Sequence, residues 1–205
     1  ITKFSQNHPL KSAKAKKAKV LSDNDIKLVL AVVASKPLAS RNRAIFLTGL
    51  YAGLRAIELA NLTVGSVVDS QGNVLDRLAF NKNQTKGSQR RTVPVSDTLA
   101  KELQKYVATL PARMLAQPER PFFPSQKGGG FTPHGIVMIM QRIYRAANIV
   151  GASSHSTRRT LATRLSERAV NVHVLQQILG HSDIRTTSGY VDVGEHQIIN
   201  AMNLL

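Results

Sequence analysis

The chain contains no cysteine, no long apolar run and few acidic residues, and each scarcity excludes a kind of protein. Without cysteine there is no disulfide, no thiolate nucleophile and no cysteine-ligated zinc or iron–sulfur cluster, so we expect a reducing compartment, the cytoplasm. The apolar runs fall short of the roughly 18 residues that a membrane span needs. The basic segment at residues 11–19 is not followed by the apolar core of a signal peptide. With 205 residues, 42% of them apolar, the chain is expected to fold around a sizeable core without membrane contact.

Acidic residues are outnumbered by basic ones. The chain has 12 Asp and Glu against 28 Lys and Arg, which leaves a net charge of +16. This excess is larger than solubility requires, and it indicates a polyanionic partner such as nucleic acid. The charge is uneven, because residues 1–19 carry six lysines and no acid, whereas residues 170–205 carry one arginine against three acids. A solubilising tail with scattered surface charge is the alternative explanation.

Hydrophobic periodicity predicts an α+β domain that is mostly helical and has a small sheet near its middle. Residues 1–20 are predicted to form a basic linker or arm, residues 21–193 the main domain, and residues 194–205 a C-terminal helix. Helices are predicted over about 22–34, 40–51, 55–60, 97–110, 132–143, 156–169, 172–179, 183–190 and 195–204, with a long loop over 111–130. The β-branched runs at 64–68, 75–80 and 92–95 predict a three-stranded antiparallel sheet.

Two pairs of polar residues lie at predicted helix ends. His155 and Arg158 are three residues apart and share one face near a helix N-terminus, where free N–H groups and a guanidinium can bind an anion. A basic surface helix explains this pair equally well. His181 follows the helix end at Leu179 and Gly180, and Tyr190 comes nine residues later. An ordinary packed tyrosine with a bonded hydroxyl is the default for such a position.

Arg55, Glu58 and Lys86 also have ordinary explanations when taken singly. Arg55 begins a short predicted helix and Glu58 lies one turn further on, which is typical of a surface salt bridge. Lys86 lies in a polar turn between two predicted strands, where exposed lysines are common. None of these residues identifies a function alone.

The order of these motifs along the chain is more specific than any one of them. The segment YAGLRAIEL at 51–59, the Lys86 hairpin ending in RTVPV at 91–95, the pair His155 and Arg158, and LGH at 179–181 with Tyr190 follow one another. This succession resembles the catalytic domain of tyrosine recombinases, the phage integrase family, over about residues 20–195. The resemblance implies that fold, and it implies a site-specific DNA recombinase or integrase.

The resemblance also implies an active-site set and its chemistry. The matching residues are Arg55, Lys86, His155, Arg158, His181 and Tyr190. In the implied mechanism Tyr190 attacks the scissile phosphate, which gives a 3′-phosphotyrosyl link and a free 5′-hydroxyl without a metal or other cofactor. The two arginines and His181 would bond phosphate oxygens, while Lys86 would protonate the leaving 5′-oxygen and His155 would accept the tyrosine proton. Glu58 is predicted to hold Arg55 or a histidine in place.

Further expectations concern partners. The predicted DNA-contacting residues are Lys82, Lys86, Arg90, Arg91 and Arg159. The family implies double-stranded DNA as partner, a dimer on each site, a tetramer in the synapse, and accessory DNA-bending proteins as an option, all in the nucleoid. It also implies an N-terminal DNA-clamping domain, so this chain would be a catalytic fragment and residues 1–20 its interdomain linker. Residues 194–205 would dock on their own core or on a neighbouring protomer.

Two residues depart from the family's usual His-x-Leu-Arg-His stretch. Thr157 replaces the leucine, and Arg159 replaces the second histidine. Because both flank the matched pair, they are expected to change local packing more than catalysis. The alternative functions are a basic DNA-binding module with an inactive site and a strand transferase that resembles type IB topoisomerases.

Overall fold

The structure is a computed structural model that describes residues 17–81, 91–180, 183–188 and 202. The described part contains α-helices, one 3₁₀ turn and a two-stranded antiparallel sheet. The elements are α1 (Asp23–Ala34), α2 (Ala39–Tyr51), α3 (Ala56–Ala60), the 3₁₀ turn (Val64–Ser66), β1 (Arg77–Phe80), β2 (Arg91–Pro94), α4 (Asp97–Val107), α5 (Ala112–Leu115), α6 (Pro133–Ala146), α7 (Ser156–Glu167), α8 (Val172–Leu179) and α9 (Ile184–Ser188). Among these helices, none is both long enough and apolar enough to cross a lipid bilayer.

The predicted helix boundaries follow from capping residues, and the structure confirms them to within a few residues for the helices it describes. At the start of α1 the Ser22 hydroxyl accepts from the Asp25 N–H at 3.1 Å, and the Asp25 carboxylate accepts from the Ser22 N–H at 2.9 Å. The Thr132 hydroxyl caps α6 by accepting from the Gly135 N–H at 3.0 Å. Gly180 ends α8 with a φ of 60°, the left-handed conformation that glycine adopts most easily.

Helix α2 lies at the centre of the domain. Its residues Ala44 to Leu50 are all buried, as expected of a helix that other elements surround on every side. It packs against α1, α3, α4 and α7, while α6 closes the core against α1 and α3. Helix α2 therefore contacts both α3, which contains Glu58, and α7, which contains Arg158.

The predicted three-stranded sheet is wrong. The described residues contain a two-stranded sheet, β1 with β2, in which Phe80 is paired with Arg91. In place of the expected first strand at 64–68, the chain forms a 3₁₀ turn at Val64–Ser66. The side chains of Val64, Val67 and Val68 are buried in the core. These valines are three and four residues apart, a spacing that puts side chains on one side of a helical turn. In a strand, buried and exposed side chains would alternate along the chain.

The predicted loop at 111–130 contains one short helix, α5, which the prolines around it did not indicate. The end of the loop is anchored by aromatic packing, since the ring centroids of Phe122 and Phe123 lie 5.3 and 5.5 Å from that of Tyr106. Burial raises the pKa of Tyr106 to about 12.

Both predicted terminal segments lie largely outside the described residues. Residues 1–16 of the basic arm and most of the predicted helix at 195–204 belong to this group. The chain is attached to the domain from residue 18 onwards. The Lys19 N–H donates to the Gly151 carbonyl at 3.0 Å, and the side chain of Leu21 is buried.

Candidate active site

The predicted site residues divide into two groups. Described residues are Arg55 as the N-cap of α3, Glu58 in α3, Arg91 as the first residue of β2, His155 as the N-cap of α7, and Arg158 and Arg159 in α7. Lys82, Lys86, Arg90, His181 and Tyr190 lie outside the described residues, and their roles stay predictions.

Three consecutive carbonyl groups at the end of α8 accept hydrogen bonds from three arginines. The Ile178 carbonyl accepts from Arg91, the Leu179 carbonyl from Arg158, and the Gly180 carbonyl from Arg55 at 3.3 Å. Carbonyls at a helix C-terminus lack intrahelical partners and carry partial negative charge, so they attract cations. The residues just before His181 therefore bring β2, α7 and α3 together at one point.

Arg158 is the most deeply buried of these arginines, with 2% of the residue exposed. Its Nη2 donates to the Leu179 carbonyl, and its Nη1 donates to the Gly53 carbonyl at 2.6 Å. Because Gly53 follows Ala52, the C-cap of α2, Arg158 joins the segment just after α2 to the end of α8. A buried guanidinium with two fixed main-chain acceptors has a defined orientation.

Glu58 is fully buried beside these cations. Its Oε2 accepts from the Arg55 N–H at 2.7 Å, and its Oε1 accepts from Arg55 Nη1 at 3.3 Å and from Arg91 Nη1 at 2.5 Å. A carboxylate at this depth needs such charged partners. These contacts place Glu58 against Arg55 in the described part of the site, and no histidine contact to it is among them.

Arg91 was predicted to contact DNA, but its guanidinium is directed inward. Its side chain is 9% exposed and is bonded to Glu58 and to the Ile178 carbonyl. Strand alternation could have indicated this direction, because Val93, two residues further on, is buried and lies on the same face. Prediction from charge alone missed it.

Thr157 and Arg159, the two residues that depart from the family pattern, also have side chains directed toward the protein. Arg159, another predicted DNA contact, donates from Nη1 to the Ala18 carbonyl at 2.6 Å and so holds the segment that enters α1. Thr157 is fully buried against α2, and its Oγ1 lies 3.0 Å from the place a Cβ would take at Gly49. Among the described groups this hydroxyl has no hydrogen-bond partner.

His155 lies at the exposed start of α7, one turn before Arg158. Its N–H donates to the Ser153 hydroxyl at 3.3 Å, which shapes the turn that leads into the helix. His155 is exposed at this helix start, whereas Arg158, three residues later, is buried.

The chain is similar in sequence to known proteins of one family. The phage integrase family model matches residues 19–197. The tyrosine recombinase XerD of Oceanobacillus iheyensis is 32% identical over 178 residues, which cover 85% of this chain and 57% of that protein. The XerD of Pseudomonas putida is 33% identical over 187 residues, covering 88% of this chain and 59% of that protein. The chain thus spans less than two thirds of the length of these relatives.

A solved structure shows the same fold. The crystal structure of XerA recombinase superposes with a TM-score of 0.69 at 21% identity, over 95% of this chain and 66% of that one. The predicted mostly helical fold with a small sheet is that of a tyrosine recombinase catalytic domain. Since the family model covers nearly the whole chain, this chain belongs to the phage integrase family.

Proposed function

We propose that this chain is the catalytic domain of a site-specific DNA recombinase that cleaves and rejoins strands through a 3′-phosphotyrosyl intermediate. The observation that carries the proposal is the placement of Arg55 and Arg158 on adjacent carbonyls at the end of α8. Family membership supports the reaction type.

The two arginines supply what a phosphodiester needs from a protein. The reaction gathers negative charge on the non-bridging oxygens, and fixed cationic donors stabilise that charge. Each such donor is worth about 3 to 4 kcal/mol in the transition state. The Arg55 side chain is 21% exposed, so it can meet a phosphate that arrives from solvent. Arg158 is buried and is held in one orientation by two carbonyls, and its proposed phosphate contact rests on the family resemblance.

The remaining roles fall to residues outside the described part and to His155. A bond forms between the Tyr190 oxygen and phosphorus as the bond from phosphorus to the 5′-oxygen breaks. His155 takes the proton of Tyr190, Lys86 delivers a proton to the 5′-oxygen, and His181 donates a hydrogen bond to the phosphate. Attack of a 5′-hydroxyl on the phosphotyrosine reverses these steps and rejoins the DNA.

DNA is the partner that the charge and the relatives favour. The net charge is +16, and a structure of similar fold, the Tn1549 transposon integrase, was solved in complex with transposon right-end DNA. That structure has a TM-score of 0.70 at 18% identity and covers 94% of this chain and 67% of that one.

We further propose a dimer on each DNA site and a tetramer in the synapse, with residues 194–205 docking on a neighbouring protomer. The same proposal includes accessory DNA-bending proteins as optional partners and places the protein in the nucleoid.

The proposal is tested by trapping the covalent intermediate. The complete gene product is expressed in its host, the cells are lysed in denaturant, and DNA that remains attached to the protein is recovered and sequenced. We expect attached ends at defined sites with wild-type protein and none with Tyr190→Phe. Tyr51→Phe, which changes an exposed tyrosine in the same way, is the matched control and should keep the adduct.

The outcomes separate the candidate functions. DNA retention without an adduct in any variant would support a DNA-binding module and overturn the proposal. An adduct that survives Tyr190→Phe would remove Tyr190 as nucleophile. Adducts at scattered positions that relax supercoiled DNA without exchanging partners would favour the topoisomerase-like strand transferase.

A further inference from the structure

Arg91 lies at the junction of the elements that the proposed reaction uses. It is the first residue of β2 and follows the segment that contains Lys86. Its Nη1 reaches Glu58 in α3, and its Nη2 reaches the Ile178 carbonyl at the end of α8. One side chain therefore connects β2, the helix α3 that follows Arg55 and the helix α8 that precedes His181.

The surroundings of Arg91 leave it little room to move. A Cβ at Gly180 would lie 2.7 Å from its Nε and 2.9 Å from its Cδ, so the backbone of Gly180 covers the side chain. The Nε is buried and has no hydrogen-bond partner among the described residues. Turning outward to a DNA phosphate would break both the Glu58 and the Ile178 contacts and leave a buried carboxylate with one partner fewer.

Glu58 is shared unequally between two arginines. Its Oε1 lies 2.5 Å from Arg91 Nη1 and 3.3 Å from Arg55 Nη1. Shorter charge-assisted hydrogen bonds are the stronger ones, so Arg91 is the closer partner of this oxygen. If Arg91 were removed, Glu58 would have Arg55 as its remaining described side-chain partner and would draw that guanidinium toward itself.

We propose that Arg91 is a positioning residue for the strand-cleavage reaction. By occupying Glu58 Oε1 and the Ile178 carbonyl, it keeps the Arg55 guanidinium available to the scissile phosphate. The inference rests on the proposed function, in which Arg55 bonds the phosphate. Arg91 itself does not touch DNA in this scheme, in contrast to the expectation from charge alone.

The experiment separates cleavage from binding. The complete gene product and its variants are mixed with a saturating amount of a DNA substrate carrying the recovered site, and the rate of adduct formation is measured in a single turnover. Affinity for the same DNA and the melting temperature are measured in parallel. The variants are Arg91→Met, Arg91→Lys, Glu58→Gln and the double variant. Arg77→Met is the control, since it removes an equal charge from β1 at a side chain that is 63% exposed.

We expect Arg91→Met to slow adduct formation by about 100-fold at saturating DNA, with an affinity within about threefold of wild type. Arg77→Met should leave this rate unchanged. Adding Glu58→Gln to Arg91→Met removes the charge that draws Arg55 away, so the double variant should cleave about tenfold faster than Arg91→Met alone. Arg91→Lys, which keeps a charge beside Glu58, should have an intermediate rate, and it tests the proposal if Arg91→Met does not fold.

Three results would overturn the inference. A weaker affinity with an unchanged rate at saturation would make Arg91 a DNA contact. A double variant no faster than Arg91→Met would show that Arg91 does not act through Glu58. An Arg91→Lys rate equal to wild type would show that the Ile178 contact and the forked guanidinium are dispensable. Failure of the proposed function looks different, because the wild-type protein itself would then form no adduct.

Discussion

The two ends of α2 each have a buried arginine nearby, and the two arginines have different surroundings. At the C-terminal end Arg158 donates to the Gly53 and Leu179 carbonyls. At the N-terminal end Arg41 donates to the Pro124 carbonyl at 2.8 Å and lies 4.9 Å from the ring centroid of Phe131. The helix has 13 residues, which separates its ends by about 20 Å.

Arg41 lies where its surroundings do little to stabilise a positive charge. It is in the first turn of α2, where the helix dipole disfavours positive charge, and it lines an apolar groove of about 790 Å³. Its described contacts are a carbonyl, the Asn42 amide and an aromatic ring, all neutral. Burial lowers the pKa of Arg41 below its usual value.

The C-terminal end of α2 differs in two ways. Carbonyls at the ends of α2 and α8 favour cations there, and the buried Glu58 carboxylate accepts from two further arginines. These features let three guanidinium groups lie close together. The comparison teaches that burial alone does not distinguish the two arginines, whereas their acceptors do: Arg41 has neutral partners, and Arg158 belongs to a cluster of arginines on helix C-termini, the arrangement that the proposed reaction uses.

The largest expected effect is that of Arg158→Ala. It leaves the Gly53 and Leu179 carbonyls without their donor and opens a cavity, so it should lower the free energy of unfolding by about 3 to 5 kcal/mol. Adduct formation should fall below detection. Chemical denaturation and the single-turnover assay measure the two effects. Arg164→Ala, which removes an exposed ion pair with Asp23 from the same helix, is the control. Equal losses in both variants would contradict the prediction.

Gly180→Ala should have the next largest effect. An added Cβ would require a left-handed alanine and would lie 2.7 Å from Arg91 Nε, costing about 2 to 3 kcal/mol in total. Gly72→Ala has a similar positive φ with no atom within 4 Å, so it should cost about 1 kcal/mol and leave cleavage unchanged. The difference between the two variants, measured by denaturation, reports the Arg91 contact. Equal losses of stability in the two variants would indicate that the Arg91 side chain moves aside at no cost.

Arg41→Met tests the other end of α2. It removes the Pro124 hydrogen bond and the Phe131 contact but also the cost of burying a charge, so it should destabilise by about 1 kcal/mol. The rate of adduct formation should stay within about twofold of wild type. Thermal melting and the cleavage assay measure these quantities. A loss of cleavage comparable to that of Arg158→Ala would end the distinction between the two arginines.

Thr157→Val should have the smallest effect on the free energy of unfolding. Unlike the other variants, it should raise this free energy. The Thr157 hydroxyl is buried without a described partner, so an isosteric apolar side chain should stabilise the protein by up to about 1 kcal/mol. Thr157→Ser keeps the hydroxyl, loses a methyl group and serves as the comparison, with an expected loss. A lower melting temperature for Thr157→Val would indicate that the hydroxyl has a partner in the working protein.

Local signals account for most of what could be predicted. Helix caps such as Ser22, Thr132 and Gly180 act within a few residues, so the sequence contains the whole interaction. The family and its fold followed from the order of short motifs, a property of the sequence itself. The false strand at 64–68 arose because β-branched residues also pack well from a turn, and the choice depends on what covers them. Here Val64 and Gly65 donate to the carbonyls of Arg120 and Pro118, more than 50 residues away.

The sequence alone predicted most of the helices, the family and the candidate site residues. Tertiary structure decided what each arginine of the site contacts. The acceptors of Arg55, Arg91 and Arg158 are main-chain carbonyls at Gly53 and at residues 178–180, together with the carboxylate of Glu58. Every residue has a carbonyl, so an acceptor of this kind leaves no mark in the sequence. It becomes specific only when folding brings the ends of α2 and α8 to the same place.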